Sequence, residues 1–529
     1  MKKMTILKGM IFCTALTMTV AGCKGNNLEA IQVDPYTLVS NYRDVRVLGT
    51  GYAGEQFTEH SRIVDDNGVT KQQKTYVVED VKVLVVPVDF TDAPYSWYND
   101  TEDGARAELN KVFFGGPDDM QWYSLAEYYK SSSFGQCNVT GYVAPWWHTG
   151  VKYTTITKSN TGYAEEIATD IQDYYREHND EINLADYDAN KDGFVDTIVM
   201  VYTAPITTTG EVWWAFCWSV SGAYGHYPKD GSFGSEMGVN RFFWASFNFM
   251  YEKGPNSYYT SAEIKSGVAK PDAHTMTHEF GHCLSLPDYY VTDYNGSDYA
   301  GMGGLDMMDN NIGDHNAYSK ILYGWINPRR IDGSYGSITL DINSTTRTGD
   351  TIIIPASGEW NNTYLDQYVM IEFLTPEGVA VKDGEERYLG YYPQYYNKAG
   401  IRITHVDSRM GVWTAGTSKY EFGGYTWATS TDMDRSYVGI AADNTANDSA
   451  YPLYKQIEVL PKDGKSMKTH KGDSGNDWLY MAGDEFGAVG CWDNFKLNGT
   501  DGTQEKEFGF KIRVDAIDGF NKATLTISR

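Results

Sequence analysis

The stretch from Asp272 to Asp288, DAHTMTHEFGHCLSLPD, constrains the fold more tightly than any other part of the chain. Asp272 is a suitable N-cap and no proline intervenes before Pro287, so the segment reads as a helix over about 273–285. On that helix Met276, Phe280, Cys283 and Leu284 share one face, while His278 and His282 project nearly opposite. Such a helix needs a core on one side and a cleft on the other. Two imidazoles at i and i+4 can reach one zinc ion, and Glu279 beside them is placed as a base rather than as a natural third ligand. Past the break at Pro287, Asp288 can return a carboxylate to the metal, which leaves the fourth position for water. The plain alternative is a solvated helix face that happens to carry two histidines.

The remaining pattern expects α+β architecture. Val81–Phe90 reads as a buried strand opening a domain near residue 80. Helical periodicity follows at about 105–114, 122–130 and 162–178, with strand-like runs at 194–203, 212–220 and 241–251. A helix at about 315–323, with Asp314 as its expected N-cap, closes this region, which is expected to span 80–330. Beyond Pro328 short alternating runs dominate: 367–373, 400–406, 508–514 and 523–527. Residues 331–529 therefore read as a β-rich, sandwich-like domain.

The chain opens with Lys2, Lys3 and Lys8 ahead of an apolar stretch from Met10 to Val20 that is too short to span a bilayer. Residues 1–22 are read as a signal peptide, and Val20-Ala-Gly-Cys23 resembles a bacterial lipobox, with Cys23 as the lipidated residue. Lipid would then be the membrane attachment of an envelope protein facing the surface or periplasm. Residues 23–79, polar and rich in turns, read as a spacer or pro-region. With 70 acidic against 44 basic residues the net charge is −26, and a field of that sign repels phosphate backbones, so nucleic acid is not an expected partner. Cys137, Cys217, Cys283 and Cys491 lack metal-type spacing and could be free thiols or disulfides.

A second cation site is expected at Asp188, Asn190, Asp192 and Asp196, whose oxygens recur at alternating positions around Gly193, as calcium loops require. Position twelve of that loop is Val199 rather than the bidentate Glu of an EF-hand, so any calcium there would be structural and completed by other groups. A polar turn held by Asx hydrogen bonds is the alternative.

The histidine helix and several flanking segments together resemble the immune inhibitor A family of bacterial zinc metallopeptidases, a metzincin-like group. The supporting segments are Val85–Asp92, Ser124–Tyr129, Ser133–Gly135, Asn316–Lys320, Gly324–Trp325 and Gly400–Asp407. The resemblance extends over most of the chain from residue 80 onward. It implies a zincin-type catalytic domain, a zinc cofactor and polypeptide substrates. It also implies a methionine beneath the metal, a role that falls to Met308 with Met307 as neighbour. One departure is Ser285, where the family motif carries Gly. His405 is read as a structural, hydrogen-bonded histidine. The rival expectation, from the 14 Trp and the β-rich second half, is a surface adhesion or glycan-binding protein with a non-catalytic zincin-like domain.

Overall fold

A strand with no polar alternation has to be covered on both faces, and the run beginning at Val81 meets that requirement in the computed structural model. The structure describes residues 80–529 apart from internal stretches, the longest at 221–236, 292–298, 356–363, 423–435 and 445–454. Before residue 80 it describes three strand fragments, Ala30–Gln32, Ile63–Val64 and Thr70–Lys71. Cys23 and the signal segment 1–22 lie outside the described residues.

Six strands make the first sheet: β1 (Asp80–Asp89), β2 (Asn138–Val143), β3 (Trp147–His148), β4 (Thr197–Tyr202), β5 (Phe216–Ser219) and β6 (Arg241–Ser246). Their order is β2-β1-β4-β6-β5, with β3 also on β1. All pairings are parallel except β5 with β6, which is antiparallel and places β5 at the edge. The helices are α1 (Glu102–Phe114), α2 (Leu125–Ser132), α3 (Asn160–Glu177) and α4 (His274–Cys283).

Alternation along the strands decides which helix each side chain meets. Leu84, Val86, Ile198 and Met200 pack with Ile167 and Ile171 of α3. Val83, Val85, Val199 and Val201 face the other way, onto Leu109, Tyr129, Met276 and Phe280 of α1, α2 and α4. Each such buried side chain contributes roughly 1.5–3 kcal/mol. The helix ends follow local chemistry: Thr101 Oγ1 accepts from Gly104 N–H at 3.0 Å and Ser124 Oγ from Glu127 N–H at 3.2 Å.

Three of the differences from expectation have a local cause. β6 stops at Ser246, whose hydroxyl accepts from Asn248 N–H and opens a 3-10 turn, Phe247–Met250. Residues 212–220 divide into a 3-10 turn, Glu211–Trp213, and the short β5. The helix expected at 315–323 is α6, which follows α5 (Met307–Asn310) in the chain and runs Ala317–Leu322. Its cap is Asn316, bonded to Ser319 N–H at 3.1 Å, because Asp314 is engaged by Lys320 Nζ at 2.6 Å and by the Ser132 hydroxyl.

The second half is built on β7 (Arg329–Ile331), β8 (Ser337–Asn343), β9 (Thr351–Pro355), β10 (Gln367–Leu374), β11 (Gly400–Asp407), β12 (Ile457–Val459), β13 (Glu485–Phe486), β14 (Lys511–Asp518) and β15 (Lys522–Ser528). One sheet runs β7-β9-β10-β11-β12, with Ala30–Gln32 outside β7, and a second runs β8-β15-β14-β13. Ile352, Ile371 and Ile403 pack in one cluster with Ile512, Val514 and Leu525, as the inner faces of a sandwich do. The opposite face of the first of these sheets, with Ile353, Met370 and Val406, joins the same core cluster as Met276 and Phe280 of α4. The fold is thus mixed α+β with several sheets, and the helix carrying the histidines is packed from both halves of the chain. A buried pair reinforces that contact. Arg402 of β11 grips Glu372 of β10 at 2.7 and 2.9 Å, and Glu372 also accepts from Ala317 N–H at the start of α6. Among the described residues no helix is long and apolar enough to cross a membrane.

Candidate metal centre

Helix α4 is buried almost throughout, His274 and His278 included, while His282 near its end is half-buried. Asp272 does not occupy the cap position, which falls to Ala273, but its Oδ1 still accepts from His274 N–H at 2.9 Å. The helix ends as Leu284 N–H reaches Phe280 O and Leu286 N–H reaches Gly281 O, both at 3.0 Å. Ser285, the departure noted above, lies outside the described residues. The chain then passes Pro287 and brings Asp288 back beside the helix.

His278 Nδ1 lies 2.7 Å from Met307 O, and His282 Nδ1 lies 2.8 Å from Leu286 O. A carbonyl oxygen only accepts, so each Nδ1 carries the proton and donates it, which leaves each Nε2 with a free lone pair. Those two Nε2 atoms are 3.1 Å apart, and each is 3.1 Å from Asp288 Oδ1. Three acceptors thus converge at equal spacing, an arrangement that a shared cation would satisfy. The electrostatics favour positive charge at this point, whether it is carried by a metal ion or by a proton on an imidazole. Burial works to lower the pKa of His282, but the Asp288 carboxylate outweighs it and holds it up at about 10. Burial works to raise Asp288, and the two imidazoles hold it well below the usual carboxylate range. Among the described residues this is the one group of three His, Cys, Asp or Glu side chains arranged to hold a metal.

Glu279 is 7% exposed, and its Oε2 has no hydrogen-bond partner among the described residues. Burial raises its carboxyl above the usual range, with His282 and His278 pulling the other way. Met308 sits under the helix: a methyl added at Gly281 would meet its Sδ at 2.5 Å. The Met loop is braced by Asp306, which accepts from Met308 N–H at 2.8 Å and from Asn316, and by Asp309, which accepts from Met302 and Gly304 N–H. Tyr289 N–H bonds Met308 O at 2.7 Å, tying that loop to the turn bearing Asp288.

Several supporting residues carried little or no local signal. Arg241, at the start of β6, donates from Nη1 to His282 O at 2.9 Å and Cys283 O at 3.2 Å. Tyr129 of α2 donates to Thr277 O at 3.1 Å. Asp306, two residues before Met308, could have been read as a cap; Arg241 could not. His405 is buried in β11 with Nε2 3.2 Å from Gln367 Oε1, a structural placement.

Of the expected calcium loop, Asn190 and Asp192 lie outside the described residues. The Asp196 carboxylate accepts from Lys82 N–H at 2.9 Å and from Ala189 N–H at 3.2 Å, which pins the loop to β1. No family model matches the chain, and no curated protein matches it.

Proposed function

We propose that the chain is a zinc metalloendopeptidase. The observation that carries this reading is the triangle of His278 Nε2, His282 Nε2 and Asp288 Oδ1, with both Nδ1 atoms committed to carbonyls and, next in sequence, Glu279, whose Oε2 has no hydrogen-bond partner among the described residues. Tetrahedral zinc with bonds of ~2.0–2.1 Å needs donors ~3.3–3.4 Å apart, close to the 3.1 Å edges found. Two neutral imidazoles and one carboxylate also match the borderline character of that ion. When bound, zinc would polarise the scissile carbonyl and acidify a water molecule.

The chain's own residues would do the rest. His278, His282 and Asp288 would hold the ion. Glu279 would accept the proton of the attacking water and pass it to the leaving amine. β5 ends the strand order of its sheet among the described residues and contacts α4, which is where an extended peptide would add as a further strand. The polypeptide substrate class rests on the resemblance to the immune inhibitor A family.

Glu279→Gln tests the assignment, because it keeps the volume and helix propensity but cannot take the proton. Zinc stoichiometry should equal that of the parent while hydrolysis of unfolded casein falls at least ~10²-fold. A variant that holds zinc and cleaves at the parent's rate would remove Glu279 as the base.

A further inference from the structure

Cys217 lies within the edge strand β5, and Cys283 is the last residue of α4, directly after His282. Both are free thiols, and their sulfurs are 3.4 Å apart. A disulfide needs about 2.05 Å, so the two sulfurs have roughly 1.4 Å to close. They already face each other within one core cluster, Cys283 fully buried and Cys217 half-buried against it. We propose that Cys217 and Cys283 form a reversible disulfide that fastens the edge strand to the ligand-bearing end of the metal helix.

Exposure sets the order of the chemistry. Cys217, the more accessible thiol, gives its proton to solvent and attacks one sulfur of a small organic disulfide, forming a mixed disulfide and releasing one thiolate. Cys283 then loses its proton and attacks Cys217 Sγ, expelling the second thiolate. The two cysteines together give up two electrons, and the small disulfide takes them to become two thiols. A chain exported as its opening residues suggest would meet such oxidants outside the cytoplasm.

The consequence is local. Arg241 of β6 already grips the His282 and Cys283 carbonyls, so the bond would add a covalent hold from β5 to the same helix end. It would also close a loop between residues 66 positions apart, which constrains the unfolded chain strongly. Neither effect depends on the peptidase reading.

The test uses the full chain equilibrated with oxidised glutathione or with dithiothreitol. The oxidised protein should lose two titratable thiols, give a Cys217–Cys283 peptide in a non-reducing map, and melt at least about 2 °C higher than the reduced protein. Cys217→Ser should abolish both the cross-link and the shift. An unchanged thiol count, glutathione retained on Cys217, or a bridge to Cys137 or Cys491 would each overturn the proposal. These readouts are taken on the parent chain, so the answer does not hang on whether a variant folds.

Discussion

His274, the first residue of α4, lies between two rings and two carboxylates. Trp122 stacks on one face at 3.6 Å between centroids and Tyr388 on the other at 3.7 Å. Its Nδ1 is 2.8 Å from Asp272 Oδ1 and its Nε2 is 3.2 Å from Asp383 Oδ1. Carboxylates at both nitrogens call for protons at both, so the ring is an imidazolium, and aromatic faces on either side favour that charge further. Burial works to lower its pKa, but Asp272 and Asp383 outweigh it and hold it at about 9 rather than 6.5. Between those values the native state keeps a proton that the unfolded chain releases, so stability falls as pH rises. The contribution is complete below about pH 6.5 and is lost through about pH 9, at about 1.36 kcal/mol per pH unit, on the order of 3 kcal/mol in all. Denaturant unfolding from about pH 6 to about pH 10, run on the parent and on His274→Gln, reads this directly. The parent should lose that stability relative to the variant, and the subtraction removes most of the titration of nearby Glu252, whose pKa burial raises to about 7. Parallel curves for the two chains would refute a charged His274.

Gly281→Ala should cost about 1–3 kcal/mol through overpacking, because its methyl would meet Met308 Sδ at 2.5 Å. Set against the roughly 1 kcal/mol that Ala gains over Gly in a helix, the net is a loss of up to about 2 kcal/mol; a variant that melts higher than the parent would displace Met308 from beneath the histidine helix. Asp288→Ala should weaken zinc retention at least ~10-fold against a competing chelator, and parent-like retention would strike Asp288 from the ligand set.

What could be read from the residues was whatever was local or periodic. The 3.6-residue spacing of Met276 and Phe280 against His278 and His282 located the histidine helix, and Pro287 marked where the chain would turn back to Asp288. Asp314 was the wrong cap for α6 because two good capping residues lie within three positions, and a tertiary partner, Lys320, claimed one of them. Nothing near His274 announces Asp383 or Tyr388, which arrive from more than a hundred residues downstream. The contact between Cys217 and Cys283 is hidden for the same reason, since only the sheet order puts β5 beside α4. The change in patterning after Pro328 marks where strands take over from helices, while the core cluster continues across it from Val83 to Leu479.

The two tethers that orient the histidines close loops of very different length. His282 is held by Leu286, four residues on, so its ring is aimed as soon as the helix end and its turn exist. His278 waits for Met307, 29 residues on, and so for the Met loop with its Asp306 and Asp309 braces. Closing the longer loop carries the larger entropic cost. Half of the candidate metal centre is therefore a local product of its own helix, and the other half records that the distant loop has arrived. A chain with an intact histidine helix but an unformed Met loop would have one ring aimed and the other swinging, and a two-point grip would tell an ion that the fold is unfinished.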